Sequence, residues 1–165
     1  MSNIETWNKI VKQFNENRAS EEYKLQILWE QFFGQYFHYN SLDGEIYTKK
    51  QLHLGSTDKL IPDIILRKDG KDLALVELKK ESCISCDKFR QQLFSYLKQL
   101  KLSIGILITN KIEIFVYDYS REDDKQQFVE IQFTTDDTLG EQFVSLFDKD
   151  NIDINAIKEF VSNNC

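Results

Sequence analysis

Residues 61–80 read IPDIILRKDGKDLALVELKK. Two apolar arms rich in Ile, Leu and Val flank a Lys-Asp-Gly-Lys-Asp centre, the pattern of two strands around a tight turn. Gly70 supplies the positive φ that such a reversal needs, and Asp tolerates turn geometry. Asp63 interrupts the first arm, and Glu77 and Lys79 interrupt the second. A turn centred near Gly70 sets Asp63 opposite Glu77, and directly opposed residues have Cβ atoms about 4.5–5.5 Å apart. Glu77 and Lys79 are two residues apart, so they share a face. Two carboxylates and one ammonium then converge on one patch of an apolar hairpin. Carboxylates that close repel unless a cation lies between them. Residue chemistry alone leaves two readings open, a salt-bridged group at a sheet edge and a divalent-metal site.

Both arms are apolar on both faces, with Ile64 and Leu66 flanking Ile65, and Ala74, Val76 and Leu78 alternating with Leu73 and Leu75. Strands buried on both sides imply a central sheet covered by helices on each face. Charges in that setting are costly, which weighs against an incidental Asp63, Glu77 or Lys79.

The rest of the chain supplies those helices. Trp7, Ile10, Val11 and Phe14 fall at helical spacing, so residues 3–16 form an amphipathic helix. A second helix starts near Ser20, read as its N-cap, with Glu21 and Glu22 in the first turn where the helix dipole favours acids. Leu25, Leu28, Trp29, Phe32 and Tyr36 give it a broad apolar face. Residues 38–60 are mostly polar, with a strand expected at residues 45–49. Residues 87–102 form a further helix on a Phe89, Leu93, Tyr96, Leu97, Leu100 stripe, and Gln92 and Tyr96 lie one turn apart on it. SIGILITN and IEIFVYDY then read as a hairpin turned at Asn110-Lys111, with Asn110 suited to a left-handed position. FVEIQFTT is another strand, and residues 138–147 and 154–161 are closing helices. The helix between Lys79 and Ser103 can serve as a crossover, which makes the sheet mixed.

At 165 residues with 41% hydrophobic and 13% aromatic content, the chain reads as one globular domain, residues 1–165. Its core spans about residues 20–135, with helical additions at both ends. No apolar run reaches the roughly 20 residues that span a bilayer. The first residues carry acids and lack an apolar signal core, so a cytoplasmic location with reduced cysteines is expected. The net charge of −6 argues against a general nucleic-acid coat. It is unevenly spread: −3 over residues 1–48, +6 over residues 49–111 and −9 over residues 112–165. The hairpin and the helix after it are thus a basic island, either solvated surface or a face for a polyanion.

Cys83 and Cys86 form C-x-x-C before a helix, as in thiol–disulfide oxidoreductases. Pro62, the one proline, lies upstream and cannot supply the downstream cis-Pro of such sites, and no second pair completes a zinc set. Two incidental buried thiols is the better account. His38 and His53 are not at ligand spacing.

Pro62-Asp63 followed by Glu77-Leu78-Lys79 resembles the signature of the PD-(D/E)xK nuclease superfamily. Ser20-Glu21-Glu22 on a leading helix, Gln92-x-x-x-Tyr96 on a following helix and the Leu-Ile-Thr-Asn110 hairpin narrow the likeness. Together, from about Ser20 to Tyr119, they are similar to the N-terminal nuclease domain of type I restriction enzyme motor (R) subunits. The resemblance implies a restriction-endonuclease-like α/β fold, a mixed sheet with helices on both faces. It implies Mg²⁺-dependent hydrolysis of DNA phosphodiesters, with Mn²⁺ as a substitute. Asp63, Glu77 and the Leu78 backbone carbonyl would hold the metal, with Glu22 joining directly or through water and Glu21 as the alternative. Lys79 would orient the attacking water, and Gln92 and Tyr96 would support the scissile phosphate or its neighbours. The chain departs from the family in lacking G-x-x-x-x-G-K-[ST], so any motor lies elsewhere. DNA is the expected partner, together with a separate motor or specificity subunit, or a second copy of the chain for duplex cleavage. The alternative is a non-catalytic nuclease-like module that binds nucleic acid or protein within a restriction-type complex.

Overall fold

Asp69 and Gly70 turn the central hairpin, both with positive φ, 53° and 75°. Two left-handed central residues make the tight turn whose twist matches paired strands. The turn joins strands Ile64–Lys68 and Lys71–Leu78. Beside the turn Lys68 pairs with Lys71 and Arg67 with Asp72, but further on Leu66 pairs with Ala74, Ile65 with Leu75 and Ile64 with Val76. The register slips by one residue at a β-bulge, and Leu73 is the residue left without an opposite number. The slip decides which residue meets Asp63. The turn's own register would carry Val76 to the position opposite Asp63, and the bulge brings Glu77 there instead.

The computed structural model describes residues 1–48, 52–54, 58–60, 62–80 and 86–165. Two helices lead, α1 (Asn3–Asn17) and α2 (Glu22–Gln35). Strands β1 (Ile46–Tyr47), β2 (Leu52–Leu54), β3 (Asp58–Leu60), β4 (Ile64–Lys68) and β5 (Lys71–Leu78) follow. Then come α3 (Cys86–Leu100), β6 (Ile104–Ile108), β7 (Lys111–Val116), β8 (Phe128–Gln132), α4 (Thr138–Phe147) and α5 (Ile154–Asn164). Six strands form one sheet in the order β1-β4-β5-β6-β7-β8, and β2 and β3 pair separately. The β5–β6 pair is parallel and the others in the sheet are antiparallel, so α3 is the crossover and the sheet is mixed.

Alternation along β5 sorts its side chains to two cores. Ala74, Val76 and Leu78 join Trp7, Phe14, Trp29, Phe143 and Phe160 on the face covered by α1, α2, α4 and α5. Leu75 joins Leu107, Phe115, Leu93, Phe94, Tyr96 and Leu97 on the face covered by α3. Helices thus cover both faces, as the doubly apolar strands require. Trp7, Ile10, Val11 and Phe14 are the buried stripe of α1, which a reciprocal Ser2–Glu5 capping box starts.

Some expectations need correction. The N-cap of α2 is Glu21, not Ser20, and it makes no side-chain capping bond. Glu21 takes the extended cap conformation, with φ −60° and ψ 151°, which leaves Ser20 one residue outside the helix. Asn110 is not among the residues with positive φ. Its turn is closed by the Thr109 N–H donating to the Lys111 carbonyl at 2.9 Å, which needs no left-handed residue. Of the strand expected at residues 45–49, Ile46–Tyr47 is found and residue 49 lies outside the described residues; the small β2–β3 hairpin was not foreseen. Cys83 lies outside the described residues. Cys86 opens α3 as a free thiol.

Candidate active site

Asp63 and Glu77 meet where β4 begins and β5 ends, and each holds the other's strand. The Asp63 N–H donates to Glu77 Oε1 at 3.0 Å, and the Leu78 N–H donates to Asp63 Oδ2 at 2.8 Å. The interlock uses one oxygen of each carboxylate. Among the described contacts, the second oxygen of Glu77 faces Lys79, with Oε2 and Nζ 3.9 Å apart. Lys79 is also tied through its backbone, its N–H donating to the Ile108 carbonyl at 2.9 Å. Its ammonium stands 5.4 Å from the centroid of the Phe89 ring on α3, a cation–π position.

The electrostatics follow from burial. Glu77 is 2% exposed. Its carboxyl is pushed up to about 8, first by burial and then by the neighbouring Asp63 charge, against the lesser pull of the Asp63 N–H and Lys79. Asp63 is raised too, chiefly by burial, with the Leu78 N–H and Lys79 opposing. Glu22 adds to the rise of both groups, so its carboxylate shares their field. One ammonium against three carboxylates leaves an excess of negative charge in a place of low dielectric. Such an arrangement favours either a bound proton or a bound cation.

Helix α2 delivers Glu22 to this end of the strands. Its Oε1 accepts the Lys80 N–H at 3.0 Å, linking the first turn of α2 to the end of β5. Glu21, the alternative carboxylate, is the cap residue instead and makes no side-chain capping bond. One turn beyond Glu22, Gln26 Nε2 donates to the Asp63 carbonyl at 3.2 Å. Gln26 was missed from the sequence. Its spacing of four from Glu22 is the signal that places both on one face of the helix.

Helix α3 closes the other side. Gln92 Nε2 donates to Tyr96 Oη at 3.1 Å. The Tyr96 hydroxyl is pushed up to about 12 by burial and by the Glu77 carboxylate, with Asp63 adding to the rise. Tyr96 is therefore within the field of the paired carboxylates, and Gln92 is held to Tyr96. The structure thus gathers Asp63, Glu77, Leu78, Lys79, Glu22, Gln92 and Tyr96 about one end of two interior strands. His38 is elsewhere, exposed and paired through Nδ1 to Asp148 at 2.7 Å. No described helix is long and apolar enough to cross a membrane.

The fold is similar to that of the type IIG restriction endonuclease BpuSI. The TM-score is 0.53 at 21% identity, over 88% of this chain and 18% of that one. The chain spans less than a fifth of the BpuSI chain. A second solved structure, SSO0001, aligns at a TM-score of 0.35 and 18% identity, over 86% of this chain and 58% of the other. Comparison with curated proteins gives no match. Residues 20–133, more than half of the chain, match the family described as Type I restriction enzyme R protein N terminus (HSDR_N). The chain belongs to that family, and its fold is restriction-endonuclease-like.

Proposed function

We propose that the chain is a Mg²⁺-dependent endonuclease that hydrolyses DNA phosphodiesters in a restriction setting. The observation that carries this reading is the Asp63–Glu77 interlock where β4 begins and β5 ends, with Lys79 Nζ 3.9 Å from Glu77. Both carboxylates keep an oxygen outside the interlock, and hard divalent cations prefer such donors. Asp63, Glu77 and the Leu78 carbonyl would hold the ion, with Glu22 at its margin. When bound, Mg²⁺ supplies Lewis acidity toward a phosphoryl oxygen and lowers the pKa of coordinated water.

The chain's own residues do the rest. Lys79 offsets the negative charge and holds a water by its ammonium, kept in place by Glu77 and the Phe89 ring. Gln92 and Tyr96 present an amide and a hydroxyl to the phosphate or its neighbour. The basic surface along the hairpin binds the strand through its phosphates, which gives salt-dependent and largely sequence-independent affinity.

The test is cleavage of supercoiled plasmid DNA with Mg²⁺. Wild type should nick or linearise it, and Asp63→Ala and Lys79→Ala should each be slower by at least about a hundredfold. Cleavage that survives both substitutions refutes the reading. DNA binding with no cleavage by wild type would instead support the non-catalytic module.

The raised carboxyls predict a pH dependence. Glu77 must release its proton to accept a cation, so Mn²⁺ affinity should climb as pH rises and level off above about 8. Calorimetric titration at pH 6, 7, 8 and 9 checks this. An affinity that is flat across that range is incompatible with Glu77 as a ligand.

A further inference from the structure

Helix α3 sits across the sheet with a different task on each flank. Its centre is Leu93 and Leu97, seated on Gly105 of β6, where an added Cβ would meet Leu97 Cδ1 at 2.9 Å and Leu93 Cδ2 at 3.1 Å. At about 100° per residue, Phe89, Gln92 and Tyr96 fall on the flank toward β5 and the candidate site. Arg90 and Phe94 fall on the opposite flank, toward β7 and β8. Apolar packing over a glycine fixes the distance between helix and sheet but leaves rotation about the helix axis weakly determined.

Arg90 and Glu113 supply what that packing lacks. Arg90 Nε donates to Glu113 Oε1 at 2.9 Å and Nη2 donates to Oε2 at 2.6 Å. This two-point fork defines an orientation as well as a distance. Glu113 is 1% exposed, and Lys111 Nζ stands 3.8 Å from it. The guanidinium also lies over the Phe128 ring, 4.7 Å from its centroid, and Nη1 reaches Asp87 at 3.2 Å. Glu113 pairs with Leu107, and Leu107 pairs with Glu77. Glu77 and Glu113 therefore lie in one row on the face beneath α3, two strands or about 9–10 Å apart.

We propose that the Arg90–Glu113 pair is a rotational lock on α3 that positions Gln92 and Tyr96 at the carboxylate site. The proposal rests on the nuclease reading for its catalytic consequence, but its structural half stands apart from it. Arg90 and Glu113 are positioning residues, since they act only through the helix.

The test replaces both partners, Arg90→Leu with Glu113→Leu. Exchanging a buried ion pair for apolar residues is often neutral for stability. The double variant should melt within a few degrees of wild type, yet its α3 is free to rotate. Two measurements then read the lock. The first is the ¹⁹F resonance of Tyr96 in chain labelled with 3-fluorotyrosine, assigned among the seven tyrosines by its loss in Tyr96→Phe. It should shift or broaden. The second is plasmid cleavage, where kcat should fall roughly tenfold or more, as displacements near 1 Å commonly cause. An unmoved Tyr96 resonance, or wild-type kcat in a double variant of wild-type melting temperature, overturns the proposal. Should the double variant fail to fold, Arg90→Lys keeps a cation beside Glu113 but replaces the fork with a single point. It should move the same resonance, and an unmoved resonance again overturns the proposal. Absence of cleavage by wild type defeats the nuclease reading alone, and the resonance still decides the lock.

Discussion

Glu77→Gln should remove Mn²⁺ binding and slow plasmid cleavage by at least about a thousandfold, while raising the melting temperature of the metal-free protein at pH 8. Loss and gain share one cause. Glu77 is a buried carboxyl whose ionised form is disfavoured by its surroundings. Below about pH 4.5 it is protonated both folded and unfolded, and costs nothing. Between there and about 8 the folded chain keeps a proton that the unfolded chain releases, so stability falls as pH rises. Above that range the group is charged in both states and the loss is complete. Asp63 is shifted in the same direction and adds to the slope. Gln keeps the shape and an oxygen to accept the Asp63 N–H, but it never ionises. The variant should therefore be more stable than wild type at pH 8 by an amount on the order of 2 kcal/mol, about 4–8 °C for a chain of this size. At pH 4 the two should melt together. Melting curves at both pH values, without divalent ions, make the comparison. Parallel pH profiles for the two proteins would show that Glu77 carries no such strain.

The second large effect concerns folding alone. Gly140→Ala should lower stability by about 2–3 kcal/mol, or roughly 5–10 °C. Gly140 lies in the first turn of α4, and a Cβ there would fall within the Trp7 indole of α1. That indole cannot easily retreat. Its Nε1 donates to the Thr134 carbonyl at 2.9 Å, and its ring packs against Phe133 and Phe143. Gly34→Ala in α2 is the matched control. The new Cβ would stand 3.6 Å from the Tyr39 carbonyl oxygen, an ordinary contact. Gly34 lies in the last turn of α2 and has no positive φ, so Gly34→Ala should show a gain of about 0.5 kcal/mol from the lost freedom of the unfolded chain. Thermal melts of the two variants should move in opposite directions. A Gly140→Ala variant as stable as wild type would mean that α1 and α4 can separate at little cost.

The features that could be read directly were those carried by short-range pattern. The Trp7, Ile10, Val11, Phe14 stripe became the buried face of α1, and the doubly apolar β5 became a central strand. The placement of Asp63 against Glu77 also came through, although by a route that counting from the turn does not show. A two-residue turn and a bulge together give the same opposition as a turn centred on Gly70. What stayed hidden depends on contacts between distant residues. Glu21 and Glu22 are neighbours in the sequence, and the Lys80 N–H, 58 residues on, is what ties Glu22 to the end of β5. Gln26 acquires its place from the Asp63 carbonyl, which no local pattern reveals. No local pattern marks Arg90 or Glu113; the crossover that lays α3 over β5 and β6 brings the Arg90 fork to Glu113 on β7. The β2–β3 hairpin lacks a strong apolar signal. Its stretch is polar, and period-two alternation is weak over so few residues.

The bulge at Leu73 also separates two kinds of tolerance to change. On its turn side, the hairpin can be lengthened or shortened in matched pairs, and the carboxylates stay where they are. On its site side, one residue gained between Leu73 and Glu77 would send Val76 into the position of Glu77 and turn the acid toward the apolar core. The loss of Leu73 itself would instead merge the two registers and keep Glu77 opposite Asp63. A single-codon insertion there would leave a chain with every acid and lysine still present in its sequence, yet with Glu77 turned away from Asp63. Presence of the motif residues alone is thus a poor test of a working relative, and the count of residues between Gly70 and Glu77 is the better one.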